Sequence, residues 1–140
     1  MRQLLTILLL LITLNGYSQY KGTPGKAKSS LEKSMLKTDI EEKRGLLTIA
    51  KGEIDAAILN EKQNTKANTW LIRGDVYAEI AKSIPDLDLE AIEKSVRAYD
   101  KIGIEIRTKD LTIIQNVNAG KQNLSSFFIN KAITALQGSG

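Results

Sequence analysis

The chain has 140 residues, of which 26% are charged and 42% hydrophobic, and its formal net charge is +4. These values are ordinary for one folded domain and exclude a disordered, highly charged chain. Cysteine and histidine are both absent, which excludes a disulfide framework, a thiol nucleophile and the commonest general base and metal ligand. We therefore expect a protein that is not an enzyme and has no catalytic residues, metal site or cofactor.

Basic and acidic residues are interleaved along most of the chain, for example in "EAIEKSVRAYDK". Interleaved charges are typical of solvated helical surfaces, whereas nucleic-acid binding requires clustered basic residues. Aromatic residues make up 5% of the chain, and there are only two prolines. This composition predicts an all-α protein with an aliphatic core and no nucleic-acid partner.

The start of the chain has the features of a secretory signal peptide. A positive start precedes an almost wholly apolar run, residues 4–14, and Gly16 and Ser18 are small residues in the relation that signal peptidase recognises. We predict a signal peptide over residues 1–18, cleaved before Gln19. The alternative is an uncleaved anchor or a buried helix, although a membrane span needs ~20 apolar residues. The signal peptide therefore predicts that the protein is exported to a bacterial periplasm or secreted, with no membrane anchor after cleavage. A chain without cysteine is compatible with the bacterial periplasm.

Residues 19–25 have the composition of a linker, with Gly, Thr and Pro and no apolar periodicity. The helical domain is predicted over residues 26–140. Its first element is a short helix over residues 26–36, which has little apolar surface to bury.

A second helix is predicted over residues 39–59, because apolar residues recur there at helical spacing. Thr38 and Glu41 match a capping box, in which the two side chains satisfy each other's free backbone donors. Residues 60–66 are polar and predict a loop.

A third helix ends before Pro85, because the residue before a proline is disfavoured in helical geometry. Its stripe contains Trp70, Gly74, Tyr77, Ala81 and Ile84. The apolar face of a fourth helix contains Leu89, Ile92, Val96, Tyr99, Ile102 and Ile106. The third and fourth helices, joined by a short turn, are predicted to form an antiparallel helical hairpin.

Residues 73–75 spell Arg-Gly-Asp, the tripeptide of cell-adhesion ligands. An adhesion motif acts from an exposed loop, but the helical periodicity places Gly74 in the middle of the third helix. We predict that the tripeptide is not an adhesion motif.

Three carboxylates, Asp86, Asp88 and Glu90, cluster before the fourth helix. A hard-cation site is one interpretation, but Ala91 stands where an EF-hand loop requires glycine. We predict helix-start acids favoured by the helix dipole. Beyond them, a short apolar segment over residues 111–117 and a last helix over residues 124–136 complete the prediction.

The third and fourth helices carry a family resemblance. The residues Trp70, Gly74 and Tyr77, with Arg73 where leucine is usual, resemble the first-helix signature of the tetratricopeptide repeat. Ser95, Tyr99 and Ile102 resemble its second helix, so the best match covers residues 65–109. Phe128, Ala132 and Ala135 match the first-helix positions again. The resemblance implies a short α-solenoid of stacked hairpins whose C-terminal repeat is incomplete, similar to repeat proteins exported by Bacteroidetes-type bacteria.

The resemblance also implies a function. Repeat proteins of this kind are non-enzymatic scaffolds that hold a peptide or a partner protein, and the partner-facing positions would be Asn68, Leu71, Asp75 and Glu79. That face is acidic, which favours a basic or neutral partner segment. The alternative is a structural N-terminal fragment of a longer repeat protein with no site of its own, and an enzyme is the third hypothesis.

The last predicted helix carries Phe127 and Phe128. If this helix is the first half of a repeat, the second helix that would pack on one of its apolar faces is missing. Exposed apolar surface tends to be an association site. We expect self-association through this helix or recruitment of a partner helix.

Overall fold

The computed structural model describes residues 22–138, and this part of the chain is all-helical with no strand. The all-α prediction is therefore confirmed. The predicted signal peptide, residues 1–18, lies outside the described residues. The six helices are α1 (Pro24–Met35), α2 (Ile40–Ile58), α3 (Glu61–Asn64), α4 (Ala67–Ser83), α5 (Ala91–Ile104) and α6 (Leu111–Gly138), with a 3-10 turn at Pro85–Leu87 between α4 and α5.

Helix α4 is the centre of the fold and packs against α1, α2, α5 and α6. Ten of its 17 residues are buried, so it is covered on most of its circumference and not along one stripe alone. The predicted stripe is right for Gly74, Tyr77, Ala81 and Ile84, which are buried. Trp70 is only half-buried, and its indole N–H donates to the carbonyl oxygen of Asn64.

Helix α1 starts at Pro24, inside the predicted linker. The Thr23 hydroxyl accepts a hydrogen bond from the backbone N–H of Lys26, and proline is well suited to the first turn because it needs no N–H partner. The prediction that this helix has little to bury is wrong. Ala27 and Leu31 belong to the main core cluster together with residues of α2 and α4.

Helix α2 begins one residue later than predicted, because Asp39 is the N-cap. Its carboxylate accepts from the backbone N–H of Glu42 at 2.8 Å. The predicted capping box of Thr38 and Glu41 is therefore wrong by one residue. Aspartate adds a negative charge at the positive end of the helix dipole, which a threonine cannot do. The polar loop that follows contains the single-turn helix α3.

Helices α4 and α5 form an antiparallel hairpin, as predicted. The Ser95 hydroxyl donates to the Gly74 carbonyl at 2.8 Å, and the Lys101 ammonium lies 4.8 Å from the centre of the Trp70 ring. Contact partners thus run in opposite directions along the two helices.

The buried face of α5 differs from the predicted one. Tyr99 and Ile102 are buried as expected, but Leu89 is 90% exposed, and Ile92 and Val96 are also exposed. The face against α4 is instead built from Ala91, Ser95, Ala98, Tyr99 and Ile102. Small residues allow the two backbones to approach closely, so close packing against α4 decided the orientation of α5.

Helix α6 is one continuous helix of 28 residues. The prediction of two segments, residues 111–117 and residues 124–136, is wrong, because Gly120 and its polar neighbours do not interrupt the helix. Glycine costs ~1 kcal/mol in a helix interior, but α6 packs on the domain through Val117 and Leu124 on either side of Gly120. Among residues 22–138, no helix is both long and apolar enough to cross a bilayer.

Candidate functional site

A cleft of about 560 Å³ lies between α1, α4 and α6. Three of the four predicted partner-facing residues line it: Asn68, Leu71 and Asp75. Its walls are partly apolar, with Leu31 of α1 and Leu124 of α6. Polar and apolar side chains contribute to the lining in similar shares, so the cleft offers a ligand both hydrogen-bonding groups and apolar contact surface.

Tyr99 of α5 also lines the cleft. Its ring lies between two glycines: a Cβ built on Gly74 would lie 2.5 Å from Cδ1 of the ring, and one on Gly120 would lie 2.5 Å from the hydroxyl oxygen. No real side chain tolerates such distances without a shift of its neighbours. The Tyr99 hydroxyl donates to Oδ1 of Asp75 at 2.7 Å. The two glycines therefore allow one aromatic ring to join α4, α5 and α6.

Asp75 is a half-buried carboxylate in this cleft. Burial raises the pKa of its carboxyl above the ordinary 3.8, while the hydrogen bond from Tyr99 and the positive charges of Lys82 and Lys28 partly offset that rise. Within residues 22–138, no lysine or arginine forms an ion pair with it. The carboxylate thus carries a charge that the described part of the chain does not neutralise directly.

The Tyr99 hydroxyl remains a hydrogen-bond donor over a wide pH range. Burial raises its pKa, and the negative charge of Asp75 and the hydrogen bond to it raise the pKa further. A protonated tyrosine fixes the orientation of the Asp75 carboxylate without neutralising it.

Glu79, the fourth predicted residue, does not line the cleft. It is 7% exposed and accepts hydrogen bonds from Lys43 of α2 at 3.1 Å and from Ser83 at 2.6 Å. Burial opposes its ionisation, but these hydrogen bonds and the charges of Lys82 and Lys43 outweigh it and lower the pKa of the carboxyl below 4.5. Glu79 therefore joins α4 to α2, and its placement on a partner-facing surface is corrected.

The Arg-Gly-Asp tripeptide lies in the middle of α4, as predicted. Arg73 pairs with Asp55 of α2, which also accepts from the Tyr77 hydroxyl at 2.8 Å. Asp75 instead faces Tyr99 of α5. The two charged side chains are thus held by different helices, an arrangement unlike a displayed adhesion loop.

The three carboxylates before α5 all have basic partners. Asp86 pairs with Arg44 at 2.9 Å, and Lys94 pairs with Asp88 at 2.8 Å and with Glu90 at 3.2 Å. In the described part of the chain, no group of three or more carboxylates is arranged to hold a metal ion. These acids tie the α4–α5 connection to α2 and α5.

A second, largely apolar groove lies between α5 and α6. It is lined by Ile92 and Val96 of α5 and by Leu124, Phe128, Ile129 and Ala132 of α6. Sequence reasoning missed it because Ile92 and Val96 were assigned to the core. Phe127 packs edge-to-face on Phe128, with ring centroids 5.1 Å apart, but lies outside the groove. Of the two, Phe128 also contacts the main core.

Two surfaces of the described residues are thus candidates for binding: the cleft that contains Asp75 and the groove between α5 and α6. The chain matches no known protein family, and no curated protein or solved structure is significantly similar to it. The geometry of these two surfaces is therefore the basis for assigning a function.

Proposed function

We propose that this protein is a non-enzymatic helical scaffold that binds a peptide, or an extended segment of a partner protein, in the cleft between α1, α4 and α6. The observation that carries the proposal is Asp75, a half-buried carboxylate without an ion pair in residues 22–138, in a cleft with both polar and apolar lining. Burying a charge that is only partly compensated costs stability. A ligand that stabilises the Asp75 carboxylate would offset this cost. The carboxylate is therefore better explained as part of a binding site than as a contribution to the stability of the fold.

We further propose that α4 and α5 form a tetratricopeptide-like repeat and that the helices stack as a short solenoid. The close approach of Gly74 to Tyr99 and the hydrogen bond from Ser95 to the Gly74 carbonyl support this, because the repeat signature places small and aromatic residues there. The long α6, in place of a second hairpin, is the main departure from the repeat pattern.

The N-terminal residues of the sequence support a proposal for where the protein is located. The apolar run and the small residues Gly16 and Ser18 support a signal peptide over residues 1–18. The scaffold would then act in a bacterial periplasm or outside the cell, where the mature chain meets its partner.

A structural role is the second candidate. In that case the protein has no ligand site and belongs to a longer repeat protein, in which further helices cover α6. The observation that favours it is the exposure of every residue from 129 to 138.

Selection from a phage-displayed library of random dodecapeptides tests the proposed cleft, with the chain from Gln19 onward as the target. Binding of each selected peptide is then measured on two variants, Asn68→Trp and Gln122→Trp. Both positions are exposed on helix surfaces, but only Asn68 lines the cleft.

We expect Asn68→Trp to weaken cleft-bound peptides about tenfold or more, because the indole occupies the space of the ligand, while Gln122→Trp leaves affinity unchanged. Failure to enrich any peptide, or equal binding to both variants, would refute a peptide-binding cleft and favour the structural role.

A further inference from the structure

We infer that the cleft recognises a cationic side chain, lysine or arginine, whose head group pairs with Asp75. This inference rests on the proposed function of the cleft and names the chemistry of its ligand. It follows from the charges around the cleft, from the free oxygen of Asp75 and from the shape of the walls.

The two lysines of the cleft lining each have a carboxylate partner other than Asp75. Lys28 pairs with Glu32 at 3.8 Å, and Lys82 pairs with Glu79, outside the cleft, at 3.3 Å. Three carboxylates line the cleft against these two lysines. The lining therefore favours a positive ligand group over a negative one.

Asp110, the remaining carboxylate of the lining, is an N-terminal cap of α6. Its Oδ1 accepts from the backbone N–H groups of Thr112 at 2.9 Å and Ile113 at 3.3 Å. These donors and the helix dipole compensate its charge. Among the lining carboxylates of the described chain, Asp75 is thus left with neither an ion pair nor a backbone donor.

One oxygen of Asp75 is available to a ligand. Tyr99 donates to Oδ1, and no donor within residues 22–138 reaches Oδ2. No side-chain oxygen or nitrogen of the described residues is both buried and without a partner, so Oδ2 is accessible from solvent. An ammonium or guanidinium group at this oxygen would form a charge-assisted hydrogen bond in a partly desolvated site.

The walls of the cleft suit the rest of such a side chain. Leu31, Leu71 and Ile72 line it with aliphatic surface, against which the methylene stem of lysine or arginine can pack. Asn68 and Asn123 line the same cleft, and their amides can donate to and accept from the backbone of an extended segment.

The test uses the dodecapeptides whose binding to the chain is blocked by Asn68→Trp. Each lysine or arginine in a peptide is replaced by norleucine, which keeps an aliphatic stem and removes the charge. Affinities are measured by calorimetry on the parent chain, on Asp75→Asn and on Glu93→Gln. Glu93→Gln is the matched control, because it removes an exposed carboxylate that pairs with Arg97 and does not line the cleft.

We expect Asp75→Asn to weaken binding about tenfold or more, and one norleucine substitution to weaken it equally. The two changes together should cost no more than either alone, since both remove the same interaction. Glu93→Gln should change affinity by less than about twofold. Asparagine at position 75 keeps an acceptor for Tyr99, and an unchanged or higher Tm shows that the loss is not due to unfolding.

The inference is overturned if the cleft-bound peptides contain no lysine or arginine, or if Asp75→Asn binds them as tightly as the parent chain. In both cases the cleft remains a peptide site, and only the chemistry of its ligand is wrong. If no peptide is blocked by Asn68→Trp, the proposed function fails, and the inference fails with it.

Discussion

The ring of Tyr99 lies so close to the backbone of Gly74 that a Cβ at position 74 would be 2.5 Å from Cδ1 and 2.8 Å from Cζ of the ring. The same tyrosine donates its hydroxyl to Asp75, the next residue of α4. One contact between α4 and α5 thus combines packing in the core with the orientation of a carboxylate in the cleft.

Gly74→Ala should destabilise the protein. The added methyl group meets a buried ring that is held from the other side by Gly120, so α5 or the ring must shift. We expect a loss of about 1–3 kcal/mol in the free energy of unfolding, measured by urea denaturation. Gly45→Ala is the control, because nothing lies within 4 Å of a Cβ in that helical position, and it should raise stability by up to ~1 kcal/mol. Equal effects of the two substitutions would contradict the close contact.

Tyr99→Phe should separate the contribution of the Tyr99–Asp75 hydrogen bond to the free energy of unfolding from the contribution of ring packing. The ring stays in place, but the half-buried Asp75 carboxylate loses its donor, and we expect a cost of about 1–3 kcal/mol near pH 7. In an Asp75→Asn background the cost should be smaller, because the acceptor is then neutral. A double-mutant cycle of thermal or urea unfolding measures this coupling. A coupling energy of zero would show that the hydroxyl does not support the carboxylate.

Asp75 and Glu79 lie one turn apart on α4, yet their pKa values shift in opposite directions. The raised pKa of Asp75 means that ionisation of this carboxyl destabilises the fold. This penalty is absent below the pKa that Asp75 has in the unfolded chain, and it grows as the pH rises through the pKa that Asp75 has in the folded chain. The lowered pKa of Glu79 means that ionisation of this carboxyl stabilises the fold. This contribution is lost as the pH falls through the pKa that Glu79 has in the folded chain.

Two substitutions should therefore have opposite effects on stability. Near pH 7, Asp75→Asn should raise the free energy of unfolding. Glu79→Gln should lower it by about 1–3 kcal/mol, because Lys43 and Ser83 lose a charged partner. Both differences should shrink in acid, where the two carboxyls of the parent chain are protonated. Urea denaturation from pH 3 to pH 7 measures this, and effects of the same sign would contradict the assigned environments.

The outer half of α6 should mediate self-association. Ile129 and Ile133 are 56% and 46% exposed, and residues 124–138 contain a single charge, Lys131. Sedimentation velocity should detect concentration-dependent association of the parent chain that is lost in Phe127→Ser/Phe128→Ser. Because Phe128 contacts the core, Ile129→Ser/Ile133→Ser is a second test with less effect on folding. Leu36→Ser/Leu59→Ser, at two exposed leucines away from α6, is the control. A parent chain that stays monomeric at every concentration would contradict this role.

Export should remove residues 1–18. Intact-mass measurement of the protein from a bacterial host should give the mass of a chain that begins at Gln19, with the charge of Arg2 lost. Retention of Met1 in a membrane fraction would contradict the prediction and favour an uncleaved anchor.

The sequence by itself determined the fold class and much of the helix inventory, because apolar spacing and turn residues are local properties. Asn68, Leu71 and Asp75, placed together by the repeat resemblance, do line one cleft. Helical spacing suffices for that, since these three residues share one side of α4.

Only the tertiary structure decided which face of each helix is covered and by what. Helix α5 has an aliphatic face and a small-residue face, and the latter is buried because it fits against Gly74. Helix α6 continues through Gly120 because packing on both sides offsets a local cost. Glu79 and Asp75 have similar positions in the sequence pattern, but Lys43 of α2 reaches only Glu79. Charge pairing across distant segments is a property of the folded chain, and within residues 22–138 it left Asp75 without an ion pair.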